Sequence, residues 1–277
     1  MRKLSEVHPE IAAGRQEMAL REYALEGLQV WGRVTNTAIL TTMPGQSKHL
    51  YPWLMERKPK DMHLIGGLKT YILPGAREND SRPYDFADRS GWKEIADEAK
   101  EIVKATGVNI VLLENETALE RFHTGNSTID FERLRTSLGV LKETGIQFWW
   151  YFPTILSNSE RVADREVRTE KFVRVVAEAM PGACFLPGFT SWKNWEKDAA
   201  EVARRERMIA IVGMNRFREQ LLVRTEGFIA YGTKKKPVYT PREALDVVSK
   251  LTGEQFIVYP GARQWVSLGE EFVKLGR

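Results

Sequence analysis

Short runs of branched and aromatic residues alternate along the chain with longer stretches whose apolar positions recur every three or four residues. The short runs are 37–42 (TAILTT), 63–73 (HLIGGLKTYIL), 108–114 (VNIVLLE), 146–152 (IQFWWYF), 183–187 (ACFLP), 227–231 (GFIAY) and 255–259 (QFIVY). Near-continuous apolar character over roughly 4–8 residues is what a strand covered on both faces requires, so these segments predict buried strands of a mainly parallel sheet. Between them, 91–106 sets Trp92, Ile95, Ala96, Ala99, Ile102 and Val103 on one face, with Ser90 as N-cap. The stretch 131–143 does the same with Phe131, Leu134, Leu138 and Leu141, and both predict amphipathic helices. Thr240-Pro241-Arg242-Glu243 and Ser157-Asn158-Ser159-Glu160 read as capping boxes that open two more helices.

A closed barrel needs an eighth strand, and 208–213 (MIAIVG) supplies a candidate. The same residues also fit one long helix over about 194–222, on which Trp195, Ala199, Val202, Met208, Ile211 and Val212 keep helical spacing, and periodicity leaves both readings open. Alternating strands and helices over this length predict an α/β chain of the (β/α)8 TIM-type barrel class, irregular around 194–226. Residues 1–277 would form a single domain, with 1–36 as an N-terminal extension packed on the barrel. A doubly wound nucleotide fold is disfavoured, because no G-x-G-x-x-G follows a predicted strand and no G-x-x-x-x-G-K-[ST] occurs.

Composition adds limits more than direction. A hydrophobic content of 43% over 277 residues is enough for a large core, and a net charge of +4 permits an acidic partner without requiring one. The one cysteine, Cys184, sits in an apolar run, which excludes a disulfide framework. The N-terminus has no signal-peptide core and no run reaches spanning length, so the expectation is a soluble protein, with no membrane partner. It would be cytoplasmic, or secreted if a leader has been removed.

Candidate chemistry gathers where predicted strands end. In a TIM-type barrel those carboxyl ends face the reaction site. The second strand runs into LPGARENDSRPYDFADRS, a long loop carrying Arg77 and Asp85. The third ends in Glu114 and Glu116, which share parity with Ile110 and Leu112 if the extended geometry continues. Same-face neighbours on a strand lie about 6.5–7 Å apart, inside the roughly 5–9 Å that paired carboxylates need for glycoside hydrolysis. The plainer alternative is that one Glu binds an arginine and the other caps a helix near Thr117. Trp149 to Phe152 are aromatic in succession, so two rings face the barrel and two the helices. Trp150 and Tyr151, with Trp192 and Tyr259, are candidates for a sugar platform, or else core. LPGAR at 73–77 recurs as YPGAR at 259–263, offering Arg77 and Arg263 as anion or hydroxyl anchors. His123 follows the glutamates in a polar loop, and GTKKKP at 232–237 is a basic tip.

Four histidines, none in a metal-binding spacing, predict no metal, and no motif calls for a cofactor. No G-x-S-x-G elbow occurs. Carboxylates at Glu114 and Glu116, an aromatic rim and the barrel architecture together resemble the glycoside-hydrolase barrels, over most of the chain. That resemblance implies hydrolysis of an oligo- or polysaccharide, with an anionic one among the options. Glu114 would be general acid, the apolar strand beneath it favouring its protonated form, and Glu116 or Asp85 would be nucleophile or base. Barrels of one large clan carry this pair at their fourth and seventh strands, whereas here it follows the third and Glu226 precedes a strand. The other readings are a non-catalytic carbohydrate-binding or interaction barrel and, third, a binder of nucleic acid or phosphate ligands, which the small net charge disfavours. Oligomeric state is not encoded in any of these patterns.

Overall fold

The computed structural model describes residues 9–42, 45–69, 76–77, 89–114, 128–129, 131–152, 162–187, 199–217 and 263–275. Their elements, in chain order, are α1 (Pro9–Trp31), β1 (Thr37–Thr42), α2 (Ser47–Met55), β2 (His63–Lys69), β3 (Ala76–Arg77) and α3 (Arg89–Thr106). Then follow β4 (Ile110–Glu114), β5 (Thr128–Ile129), α4 (Phe131–Lys142), β6 (Gln147–Phe152), α5 (Val162–Ala179), β7 (Cys184–Pro187), α6 (Ala199–Val212) and α7 (Arg263–Lys274). Five of the seven predicted strands coincide with β1, β2, β4, β6 and β7, and the two predicted helices with α3 and α4. The predicted strands at 227–231 and 255–259 and the boxes at 157–160 and 240–243 lie outside the described residues.

The five strands form one parallel sheet in the order β1-β2-β4-β6-β7, which is simply their order along the chain. A doubly wound sheet reverses its strand order at a switch point, and this one does not. Helices α3, α4, α5 and α6 pack each against the next. Strand, helix, adjacent parallel strand, repeated without reversal, is the winding of a TIM-type α/β chain.

Register fixes which side chains share a face. Leu113, Trp150 and Phe185 are partners across β4, β6 and β7. Trp150 meets Phe172 of α5 edge-on, with centroids 6.1 Å apart, so this row faces the helices. The alternate row, Gly67, Leu112, Trp149 and Cys184, lies on the opposite face, and one step toward the carboxyl ends come Lys69, Glu114, Tyr151 and Leu186 in mutual register.

Two helix-to-strand turns use one device. Thr106 and Thr144 each donate a hydroxyl hydrogen bond back to a helix carbonyl, Ile102 at 2.9 Å and Leu141 at 2.6 Å. Each hydroxyl also accepts the backbone N–H two residues on, from Val108 and Ile146. The following Gly107 and Gly145 take φ of 71° and 69°, the left-handed cap that ends a helix and turns the chain into the next strand.

Residues 208–213 resolve as the end of helix α6, with Met208 and Val212 buried one turn apart and Gly213 N–H donating to the Ile209 carbonyl at 2.8 Å. The strand reading of this segment is therefore corrected. The chain instead returns to the sheet at Phe217, which bridges Phe185 of β7 in parallel.

The chain divides into two compact units, one of residues 1–40, 49–64 and 223–277, the other of 41–48 and 65–222. Within the first, α1 packs on α7, and Trp31 and Phe272, both fully buried, meet at 5.6 Å and 81°. Most of the predicted extension is thus the helix α1. No helix among the described residues is long and apolar enough to cross a membrane.

Candidate active site

Among the described residues, the carboxyl end of the sheet within the second unit is where the buried core carries a carboxylate. Glu114 closes β4 directly after the buried Val111, Leu112 and Leu113. It lies on the face away from the helices and is 8% exposed. Among the described buried residues it alone is of ionisable acidic or basic type; its polar companions there are Thr42, Ser47, Thr106 and Ser137. Burying a carboxylate is costly unless it is engaged, so its retention at a strand end marks the position as one kept for chemistry or for a specific partner. Its register neighbours are Lys69 on β2 and Tyr151 on β6, the latter 1% exposed.

The loops leaving these strand ends are tied down. Ala76 and Arg77, after β2, pair antiparallel with Ile129 and Thr128, after β4, so two neighbouring loops on the carboxyl side are joined backbone to backbone. On the β1 side, Glu98 of α3 accepts hydrogen bonds from the Gly45 N–H and from the hydroxyl of buried Ser47. Thr42, the last residue of β1, donates to the Gly67 carbonyl at 3.3 Å. A rim held by backbone pairing and a carboxylate clamp suits a preorganised site.

Of the candidate residues, Glu114 and Tyr151 come together at these strand ends. Trp150 is corrected: it is fully buried against Phe172 on the helix-facing side, and no ring face is left for a sugar. Arg77 ends β3 opposite Thr128, in the second unit, while Arg263 opens α7 in the first. Asp85, Glu116, His123, Trp192 and Tyr259 lie outside the described residues, as does the basic tip at 232–237. The sequence reading missed the Glu98 clamp, the paired loops and Trp149. Trp149 could have been separated from Trp150 only by parity, and four aromatic residues in a row carry no alternation to read.

No protein-family model and no curated protein matches the chain. Among solved structures it is similar to a sugar phosphate isomerase/epimerase from Parabacteroides distasonis, at 10% identity and a TM-score of 0.42, covering 98% of this chain and 91% of that one. It is also similar to a D-psicose 3-epimerase determined in the presence of D-fructose, at 10% identity and a TM-score of 0.41, covering 86% and 80%. The glycosidase expectation is corrected. Neither of these structures is a glycosidase.

Proposed function

We propose that the chain is an enzyme of proton transfer on a small carbohydrate, an isomerase or epimerase, with Glu114 as the base. The observation that carries this reading is a buried carboxylate at the carboxyl end of a parallel sheet of TIM-type winding. One carboxylate suffices as the base of this chemistry. It takes the proton from a hydroxyl-bearing carbon next to a carbonyl, the C–H electron pair becomes the C=C of an enediolate, and the carbonyl oxygen takes up the negative charge. Return of the proton to the neighbouring carbon, as the proton of the adjacent hydroxyl passes to the former carbonyl oxygen, isomerises the sugar and regenerates the carboxylate with no oxidant consumed; epimerisation at the same carbon needs in addition a proton donor on the opposite face. The buried Leu112 on the same strand face and the flanking, buried Tyr151 keep bulk water from the base.

The test is deuterium exchange. A panel of ketoses, aldoses and their phosphates is incubated with the protein in D2O, and label at the carbon beside the carbonyl is read by NMR. Incorporation is expected for at least one sugar, falling by about 100-fold or more in Glu114→Gln. Binding without exchange would instead favour a non-catalytic carbohydrate binder, and exchange that survives in Glu114→Gln would remove Glu114 from the role of base.

A further inference from the structure

Trp149 carries an indole N–H that is buried and makes no hydrogen bond to the protein. An indole nitrogen is a donor only, and a buried donor without an acceptor forfeits the hydrogen bond it made to water in the unfolded chain. Such groups are rare in folded proteins and each calls for an explanation. Two other indoles share the condition, Trp92 and Trp150. Trp92 belongs to helix α3, and Trp150 belongs to the row that packs on α5, so both sit on the helix side of the sheet. Trp149 does not. It is the register partner of Leu112, two residues before Glu114 on the same strand face, and it is itself two residues before Tyr151. At about 6.6–6.8 Å per two-residue step along a strand and about 4.8 Å between strands, Trp149 lies one row below the Glu114–Tyr151 pair, on the face they share.

We infer that Trp149 is a ligand-binding residue of this site: its Nε1–H donates a hydrogen bond to a hydroxyl or carbonyl oxygen of the sugar whose proton Glu114 moves. The inference rests on the proposed proton-transfer reading and adds what that reading lacks, a fixed neutral donor to orient the substrate. A neutral donor suits the purpose, because it binds an uncharged oxygen without neutralising the carboxylate beside it. It also selects for polyhydroxylated ligands, since an apolar ligand in the same place would leave the N–H unsatisfied. Cys184, the register partner of Trp149, and Gln147, one row further from the carboxyl ends on the same face, are already engaged with each other, Gln147 Nε2 donating to the sulfur at 3.3 Å.

The experiment uses D-fructose as the probe and the full-length protein labelled with 15N at its tryptophan indoles. The Trp149 resonance, assigned through bonds in the wild type, is expected to move downfield on titration with D-fructose while those of Trp92 and Trp150 stay in place. Site-specific replacement of Trp149 by β-(3-benzothienyl)alanine, which keeps the bicyclic ring and lacks the N–H, is expected to weaken D-fructose binding by roughly 3–10-fold. Trp149→Phe should weaken it at least as much. Should the Phe variant fail to fold, the wild-type titration still decides. A Trp149 resonance that does not respond to bound D-fructose, or unchanged affinity in the benzothienyl protein, overturns the inference. If Glu114→Gln then still weakens binding or abolishes exchange, the proton-transfer reading stands without it; no response of the protein to D-fructose at any concentration likewise overturns the inference.

Discussion

At Gly67 a Cβ atom would come within 2.7 Å of the Thr41 methyl and 3.1 Å of Leu112 Cβ, so the residue is glycine because β1, β2 and β4 crowd together on that face. Gly67→Ala is expected to cost about 1–3 kcal/mol as overpacking, read as a lower urea midpoint at unchanged slope. Thr41→Ser, which removes the obstructing methyl, should return part of that loss in the double variant; a Gly67→Ala protein as stable as the wild type would refute the close approach. Arg216 makes a different kind of contact. Its guanidinium donates to the carbonyls of Ala183, Ala177 and Met180 at 2.8, 2.9 and 2.8 Å, gathering the end of α5 and the entry to β7. Burial lowers its pKa, partly opposed by Cys184, yet a guanidinium stays protonated throughout the working range. Arg216→Met should cost about 1–3 kcal/mol by chemical denaturation, and Arg216→Lys should recover only part, because an ammonium cannot reach three diverging carbonyls at once. Full recovery by lysine would mean that charge matters here and the fork does not.

The elements were legible where two signals agreed. Helices α3 and α4 combine an apolar face with a Thr-Gly stop, and strands β4 and β6 follow each stop directly, so pattern and punctuation point to the same boundaries. That stop is testable. Gly145→Ala forces a left-handed φ on alanine and is expected to cost about 1 kcal/mol, seen as a lower thermal midpoint, while Ala at Gly139, inside α4 with open space around its Cβ position, should be neutral or stabilising. Equal effects at the two sites would show that the φ of Gly145 is incidental. Residues 208–213 illustrate the opposite case. Six apolar or small residues satisfy a strand and a buried helix end alike, and what decides is tertiary: Arg205 lies over the Phe217 ring and Arg207 pairs with Glu170 of α5 at 2.8 Å, contacts that need the helical turn. The short β3–β5 ribbon was illegible for a related reason. Two-residue strands have no period, and only the proximity of two loop starts brings them together.

Across the whole molecule, the sequence carried the winding, and the place of Glu114 at a carboxyl strand end, better than any chemistry. Strand order follows from alternation and short connections, and the carboxyl ends follow from strand direction, so Glu114 could be singled out before any coordinates. Reaction type could not, because it depends on which other groups share the face with that carboxylate, and parity between neighbouring strands is set by register. The same dependence separates a functional Glu114 from a merely structural one. A buried carboxylate kept for stability is engaged by partners whose loss is severe, about 3–5 kcal/mol when one half of a buried pair is removed. One kept for proton transfer can lose its charge at small cost to the fold, since a neutral isostere needs less solvation in an apolar surround. Glu114→Gln preserves shape and one acceptor, and is expected to change unfolding free energy by less than about 1.5 kcal/mol while deuterium exchange into the sugar falls by about 100-fold or more. Measuring both on one preparation decides the matter. Loss of exchange in a protein whose denaturation curve is nearly unchanged assigns the carboxylate to the reaction, whereas a collapse of stability with proportionate loss of exchange assigns it to the fold and leaves the proton transfer without a base.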